Sequence, residues 1–234
     1  MDSSVAVANR SALLQRLYGF CFPQGEESAR QVRAVKMEEK GEIRMSEAAR
    51  WIPFTSEQWI QARQSSFRWE ARLATSRAVS VALTDAYEHQ RGRVTVKLAG
   101  LVPVKKITGP QVDQGELQRY LASILYCPAI FLNHASLECT PAGPTTLRLR
   151  DREGPDNATV DLDLDESGHP HLCRAERPRL VGRQSLPTPW MGSCLEHRER
   201  EGMNVAHRIE VIWQLADGPF TYYRSEVTSF KVLR

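Results

Sequence analysis

The sequence predicts an α+β fold in which a curved antiparallel β-sheet wraps around a central helix. Three observations favour this fold. Many segments alternate apolar and polar residues with the period of a half-buried strand, and turn residues separate them at regular spacing. A long hairpin is predicted from Ala78 to Pro103. The middle of the chain holds one strong amphipathic helix, which begins near Asp113.

Composition is that of a globular protein and excludes several classes of function. The 31 basic and 28 acidic residues are interspersed and give a net charge of only +3, which argues against nucleic-acid binding. No window approaches the roughly 18 apolar residues of a membrane span, and the first residues do not resemble a signal peptide. A cytoplasmic protein is therefore expected. Its five cysteines include no Cys-x-x-Cys pair and are predicted to be reduced thiols.

The whole chain, residues 1–234, is predicted to form a single domain. Residues 1–28 are expected to contain an N-terminal helix and a loose segment, and residues 29–234 the half-barrel body. The helix is indicated by apolar residues at helical spacing, Leu13, Leu14, Leu17 and Tyr18.

Both strands and a helix are predicted between the N-terminal helix and the main hairpin. Gln31 to Met45 alternates as two short edge strands that turn at Lys40-Gly41. A hydroxyl cap at Thr55 predicts a short helix that runs to Ile60. Phe67 to Leu73 alternates strictly and predicts a strong strand directly before the main hairpin.

The main hairpin is expected to turn at Arg91-Gly92. With these two residues as the loop, Val94 would lie opposite His89 and Leu98 opposite Asp85. Both arms would then present their apolar residues on the same face of the sheet.

Asp85 and Tyr87 share that apolar face, and this makes them candidate functional residues. A carboxylate on an apolar face must be paired, hydrogen-bonded or protonated, because a bare buried charge is costly. One interpretation makes Asp85 a general base with a raised pKa and Tyr87 a proton donor. The other makes Asp85 a structural ion-pair partner of an arginine such as Arg119.

The central helix and a second hairpin follow. Asp113 and Glu116 have the spacing of a capping box, and Pro128 is expected to end the helix. Residues 145–150 and 159–165 alternate as two strands of the second hairpin, with leucine and valine inward and arginine opposed to aspartate outward.

The last third of the chain is predicted to contain a lid and a final long hairpin. The proline-rich segment 177–189 is long enough for a loop that covers a site. Trp190 to His197 is expected to be a strand. Residues 205–215 and 220–232 form the final hairpin.

The register of the final hairpin decides where three polar residues lie. A pairing of Leu215 with Phe220 would bring His207, Arg224 and Glu226 to the inner face as an ion-paired cluster. His207 would then be an acid/base residue or a core histidine bonded to a backbone carbonyl. The alternative is one bulge that turns Arg224 and Glu226 to solvent. That bulge would place their neighbours inside: Tyr223, Ser225 and Val227.

Signatures of cofactor-dependent chemistry are missing from the sequence. It contains no Gly-x-Ser-x-Gly, no phosphate-binding glycine loop and no dinucleotide fingerprint. His169, His171 and Cys173 alternate, but their spacing matches no standard zinc site. No cofactor and no metal site are predicted.

Several short motifs, in their order and spacing, resemble an uncharacterised bacterial domain-of-unknown-function family. The motifs are Trp51-Ile52-Pro53-Phe54, Phe67-Arg68-Trp69-Glu70-Ala71, Asp85-Ala86-Tyr87 before Gly92, Gly115 to Leu121 with Pro128, Trp190-Met191-Gly192, and Trp213 with Phe220 to Arg224. The resemblance implies a lipoprotein-localisation (LolA-like) half barrel, in which a curved sheet encloses helices and a hydrophobic cavity. It implies no established activity.

The predicted function is the binding of an apolar or lipid-like small molecule in this cavity. The alternative is a cofactor-independent enzyme, a cyclase, isomerase or hydrolase, whose acid/base residues lie in the same cavity. The candidate catalytic residues are His207, Asp85 and Glu226. The candidate ligand-binding residues are Tyr87, Arg119, Trp190, Trp213, Tyr222 and Arg224. An apolar ligand or substrate is the expected partner, without nucleic acid or a membrane span; no oligomeric state is predicted.

Overall fold

A computed structural model describes residues 3–75, 80–98, 102–182 and 184–234. The helices are α1 (Ser3–Cys21), α2 (Glu27–Arg30), α3 (Pro110–Ala122) and α4 (Ile130–Asn133), with a 3-10 turn at Ser123–Leu125. The strands are β1 (Ala34–Ile43), β2 (Ile52–Gln61), β3 (Phe67–Ala74), β4 (Ser80–Glu88), β5 (Arg91–Leu98), β6 (Val102–Ile107), β7 (Leu137–Pro141), β8 (Thr146–Asp151), β9 (Thr159–Leu164), β10 (Pro170–Val181), β11 (Gln184–Arg200), β12 (Met203–Leu215) and β13 (Gly218–Leu233). Among the described residues, none of these helices combines the length and the apolar character that a bilayer crossing requires.

All of these strands join one curved, open antiparallel sheet. Its order is β6-β5-β4-β3-β2-β1-β13-β12-β11-β10-β9-β8-β7. Each half is a meander of consecutive strands, and the first and last strands of the chain pair at the centre. The strands β6 and β7, which follow each other in sequence, therefore lie at opposite edges of the described sheet.

The chain between those two edges contains α3, the strong helix that the sequence predicts. α3 contacts β4 and β5 in one half of the sheet and β8, β9 and β10 in the other. Its apolar residues Leu117 and Leu121 are fully buried. The sheet residues around them form one core with Leu13 and Leu17 of α1, so the predicted N-terminal helix is also confirmed.

The main hairpin exists, but its predicted turn is wrong. The loop is His89-Gln90, both with positive φ, as a two-residue type I′ turn requires. Val94 lies opposite Asp85 as a result, and Leu98 lies opposite Val81. This shift is an even number of residues, so every side chain keeps the face that the sequence predicts. Ala78, Val79 and residues 99–101 lie outside the described residues.

Gly92 serves the contact with α3 and not the turn. A Cβ atom at this position would lie 2.4 Å from the carbonyl oxygen of Val112. The backbone N–H of Gly92 donates to Asp113 Oδ1 at 2.7 Å, and Arg91 Nη1 pairs with Asp113 Oδ2 at 2.9 Å. The predicted capping box at Asp113 is therefore wrong, because the helix begins at Pro110 and this carboxylate binds β5 instead.

Two predictions for the first strands are also wrong. Lys40-Gly41 is not a turn, since β1 runs through it and pairs with β2 on one side and β13 on the other. A Cβ atom at Gly41 would lie 2.3 Å from the Arg224 carbonyl oxygen, so close backbone packing requires this glycine. The predicted helix from Thr55 to Ile60 is strand β2, because Phe54, Ser56, Gln58 and Ile60 are buried in alternation.

The proline-rich segment 177–189 is a hairpin and not a loop. β10 and β11 extend through it, and Pro178 lies opposite Pro187. Each proline lacks an N–H donor, and placing the two opposite each other removes both donors from the same position of the ladder. The predicted second hairpin is confirmed by the pairing of Leu147 with Leu162.

The final hairpin follows the bulged alternative. Its loop is Ala216-Asp217, Trp213 lies opposite Phe220, and the register shifts between Val211 and Ile212. The unbulged register, Leu215 with Phe220, is wrong because the loop is two residues shorter than that pairing needs. The residues turned inward by the bulge are buried, as the alternative predicts: Tyr223, Ser225 and Val227.

Candidate functional site

A cavity of about 200 Å³ lies between α3 and the central strands of the sheet. Helix α3 contributes Glu116, Arg119 and Ala122, which recur at three-residue spacing and therefore share one helix face. Strands β1 to β4 and β10 to β13 supply most of the other lining residues, and the 3-10 turn and the following Tyr126 supply the rest. The cavity is therefore enclosed by residues from both halves of the sheet and from the helix between them.

Aromatic side chains form one part of the cavity wall. Trp213 and Tyr222 stack with ring centroids 5.8 Å apart. Trp190 Nε1 donates to Tyr222 Oη at 3.1 Å, which fixes both rings against each other. These three residues are sequence-predicted ligand-binding residues, and all of them line the cavity.

A partly buried ion pair lies in the wall next to α3. Arg119 Nη1 donates to Asp85 Oδ2, and the Arg119 guanidinium lies 4.7 Å from the ring centre of Trp69. Both charged residues line the cavity, as the sequence predicts. Of the two interpretations of Asp85, the ion pair with Arg119 is the one that the structure contains.

Two further charged residues line the cavity, and the sequence did not identify either as functional. Arg177 is 8% exposed; its Nη2 donates to the Gly115 carbonyl at 2.7 Å, and its guanidinium lies 4.7 Å from the centre of the Trp190 ring. Glu116 is 6% exposed, and its Oε2 has no hydrogen-bond partner among the described residues. Burial and the nearby Asp85 carboxylate raise the pKa of Glu116 from 4.5 to about 8, against the opposing effect of Arg119 and Arg177.

The raised pKa of Glu116 predicts a specific pH dependence of stability. The unfolded chain releases the Glu116 proton near pH 4.5, whereas the folded chain holds it up to about pH 8. Within this window the Glu116 side chain of the unfolded state binds fewer protons, so the contribution of Glu116 to the free energy of unfolding falls as the pH rises. We expect this contribution to be present in the wild type and absent in Glu116→Gln.

Urea unfolding at pH 5, 6, 7 and 8 measures this contribution. The control is Glu166→Gln, an exposed position outside the cavity, which should keep the wild-type slope. Equal slopes for the wild type and Glu116→Gln would contradict the prediction.

His207 and Glu226, two of the predicted catalytic residues, lie outside the cavity lining. His207 is 2% exposed, with its Nε2 3.4 Å from Glu226 Oε1, and neither ring nitrogen has a hydrogen-bond partner in the described part of the chain. Burial lowers the pKa of His207, and the positive charge of Arg198 adds to this effect. Glu226 is half-buried, and one of its carboxylate oxygens lies 3.6 Å from Lys40 Nζ. Their proximity is confirmed, but the predicted inward cluster is wrong.

Arg224 and Tyr87 are also absent from the cavity lining. The bulge in β13 turns Arg224 to the outer surface, where it pairs with Glu42 at 2.5 Å and lies over Trp51. Tyr87 is fully buried opposite Gly92, close to the hairpin turn, and burial raises its pKa to about 12. Neither side chain therefore contacts the cavity for which the sequence proposed it.

A buried carboxylate, Glu39, accepts hydrogen bonds from four hydroxyl groups. The donors and distances are Ser225 at 2.7 Å, Tyr126 at 3.1 Å, Ser56 at 3.2 Å and Tyr223 at 3.3 Å. Tyr126 and Tyr223 also line the cavity, so Glu39 fixes two of its walls. This cluster is not predicted by the sequence pattern, which places Glu39 in an edge strand before a turn.

The alternating residues of segment 169–173 do not converge. His171 is exposed, whereas Cys173 is fully buried, so the two side chains cannot share a ligand. Within the described ranges, no three His, Cys, Asp or Glu residues lie together as a metal-binding group.

Known proteins resemble this chain in fold and in family pattern. A LolA superfamily protein from Nitrosomonas europaea matches with a TM-score of 0.53 at 10% identity, over 96% of this chain and 94% of that chain. A DUF1329 family protein from Desulfovibrio piger matches with a TM-score of 0.52 at 8% identity, over 97% of this chain and 92% of that chain. At such identities the likeness shows the fold alone. No curated protein matches the sequence. The pattern described as "Family of unknown function (DUF6920)" matches residues 12–231.

Proposed function

This chain belongs to DUF6920, a family of unknown function, and from its cavity we propose that the sheet, curved as a half barrel around α3, binds an apolar or lipid-like small molecule. The observation that carries the proposal is a cavity with aromatic and aliphatic walls and a few charged groups on one side. Ligand sites in proteins commonly have this composition, because apolar walls supply affinity and few polar groups fix orientation.

The size of the cavity limits the ligand. Its volume of about 200 Å³ is smaller than the roughly 300–1,000 Å³ typical of sites for drug-sized molecules. A short apolar molecule, or one part of an acyl chain, fits this volume. The likeness to the two solved structures supports the half-barrel shape that such a site needs.

Within this proposal five of the lining residues have a defined role. Trp190 and Trp213 form the apolar wall against the ligand, and Tyr222 offers a hydroxyl at its edge. Asp85 and Arg119 orient the polar end from the side of α3. Because each of the two charges is already paired with the other, they contribute orientation at little cost in desolvation.

Filling the cavity is expected to abolish binding without unfolding the protein. Ala122 lies on the cavity face of α3, so Ala122→Phe would place an aromatic ring in the space that the ligand needs. Freshly purified wild type should carry a bound apolar molecule in native mass spectrometry, and Ala122→Phe should carry at most about one tenth as much. The control is Gln111→Phe, an exposed position of the same helix, which should keep wild-type occupancy.

Ligand-free wild type that also fails to bind any added apolar molecule would overturn the proposal. Equal occupancy in Ala122→Phe and the wild type would show that the ligand binds elsewhere.

An acid/base enzyme is the second candidate, and one observation favours it. Glu116 is a buried carboxyl group in the cavity wall with a pKa of about 8, so it can donate or accept a proton near neutral pH. A cofactor-independent isomerisation, cyclisation or hydrolysis would need such a group. Incubation of the extracted ligand with fresh protein separates the two functions, because only an enzyme changes the mass or the retention time of the ligand.

A further inference from the structure

Several buried polar atoms of the cavity wall lack hydrogen-bond partners. The donor atoms are Arg177 Nε and Trp69 Nε1, and the third atom is Glu116 Oε2. All three residues line the same cavity. A buried polar group without a partner is costly, and native structures seldom keep several in one place unless a ligand or water completes them. Because two of these atoms are N–H donors, the missing partner must supply acceptor atoms.

The charged residues of the cavity wall indicate the charge that the missing partner carries. Asp85 and Arg119 neutralise each other through their ion pair. Arg177 donates to the Gly115 carbonyl and lies over the Trp190 ring, and no described carboxylate forms a salt bridge with it. Glu116 is mostly neutral at pH 7, because burial raises its pKa. The wall therefore holds one positive charge that is not compensated by a carboxylate of the protein.

We propose that the molecule bound in this cavity is a carboxylate-headed amphiphile of short to medium chain length, and that Arg177 and Glu116 bind its carboxylate. The inference rests on the proposed binding function and specifies the class of ligand. An arginine guanidinium is planar and matches the two oxygens of a carboxylate, and the pairing is strongest where water is excluded.

Glu116 complements this arrangement in its neutral form. A protonated carboxyl group is a hydrogen-bond donor, so Glu116 can donate to a ligand oxygen that an ionised Glu116 would repel. The other charged groups that act on Glu116 are Asp85, Arg119 and Arg177, which oppose one another in their effect on its proton. The aromatic wall of Trp190, Trp213 and Tyr222 would cover the chain of the ligand.

Other ligand classes fit these observations less well. An alkylammonium ion would bring a second cation next to Arg177. An alcohol supplies a single oxygen and leaves the Arg177 charge without a counter-ion. A carboxylate supplies two acceptor oxygens for the unpartnered N–H donors, and its negative charge compensates the positive charge of Arg177.

Calorimetric titration of the wild type with octanoate, 1-octanol and octylamine at pH 7 tests the inference. The three probes share one chain and differ in the head group. We expect octanoate to bind at least about tenfold more tightly than 1-octanol, because a buried charge-assisted pair forms only with the carboxylate. Arg177→Met should reduce this preference to about threefold or less. The matched control is Arg179→Met, on the same strand and outside the cavity lining, which should keep the preference.

The results separate this inference from the proposed function. If octanoate and 1-octanol bind equally well, the cavity binds apolar molecules and the carboxylate inference is wrong. If octylamine binds most tightly, the inference is also wrong. If none of the probes binds, both the inference and the proposed function fail. The titrations of the wild type need no variant, so the test of the ligand class holds even if Arg177→Met does not fold. If Arg177→Met folds and keeps the full preference for octanoate, the assignment of Arg177 is wrong.

Discussion

Glu39→Leu is expected to lower the free energy of unfolding by about 4 kcal/mol, since four buried hydroxyl groups would lose one acceptor at about 1 kcal/mol or more each. The donors are the hydroxyls of Ser56, Tyr126, Tyr223 and Ser225. Removal of a buried carboxylate recovers part of its desolvation cost, which keeps the expected loss near the lower end of the summed range. Guanidinium unfolding followed by tryptophan fluorescence measures the change.

Glu42→Leu is the matched control, three residues along the same strand. Glu42 pairs with Arg224 at the outer surface, and such exposed pairs contribute about 1 kcal/mol or less. Glu39→Gln retains one acceptor oxygen and should fall between the two leucine variants. A loss for Glu39→Leu that is no larger than for Glu42→Leu would mean that the hydroxyl cluster does not stabilise the fold.

Arg119→Met is expected to cost about 3 kcal/mol, because it leaves the Asp85 carboxylate without a partner in the cavity wall. The cost arises from the uncompensated charge and not from the loss of the pair as such. The double variant Asp85→Leu/Arg119→Met removes both charges and should therefore be clearly more stable than Arg119→Met alone. Urea unfolding of the wild type, both single variants and the double variant gives the coupling energy.

The exposed pair of Arg148 and Asp161 provides the comparison. Its Nε–Oδ1 distance is 2.7 Å, but it lies on the outer face of β8 and β9, so Arg148→Met should cost less than about 1 kcal/mol. If Arg119→Met and Arg148→Met cost the same, the cavity wall is as well hydrated as the outer surface.

The alternation of apolar and polar residues predicted much of the sheet. Several of the wrong predictions concern segments that contain glycine or proline. The strand at Phe67 and the hairpin around Leu147 were predicted correctly because their apolar residues alternate without interruption. Gly41 and Gly92 were interpreted as turn residues. Both lie inside strands, where another part of the backbone approaches too closely for a Cβ atom. A turn and a close approach need the same residue, so the sequence alone does not distinguish them.

Each register error shifts a strand by an even or an odd number of residues, and only an even shift keeps the side chains on the predicted face. This difference decided which site residues were predicted correctly. The main hairpin is shifted by an even number of residues, so Asp85 stays on the inner face as predicted. The bulge in β13 adds one residue, which turns Arg224 and Glu226 outward. Glu116 and Arg177 were missed for another reason: the first was assigned to a helix cap and the second to a loop. Glu116 and Arg119 are three residues apart on α3, which begins at Pro110, and they therefore share one face of the helix. This three-residue spacing is the sequence pattern that could have identified Glu116.

The pairing of the first and last strands at the centre of the sheet has a consequence for how the protein is made. Ala34 of β1 lies opposite Leu233 of β13, so this ladder joins residues that are synthesised far apart in time. Such a pairing has a very high contact order, and loop-closure entropy must be overcome before it forms. A nascent chain that has completed β6 still presents β1 as an open edge, able to add a strand from another chain. The ladder at the centre of the sheet can therefore form only after β13 has been synthesised.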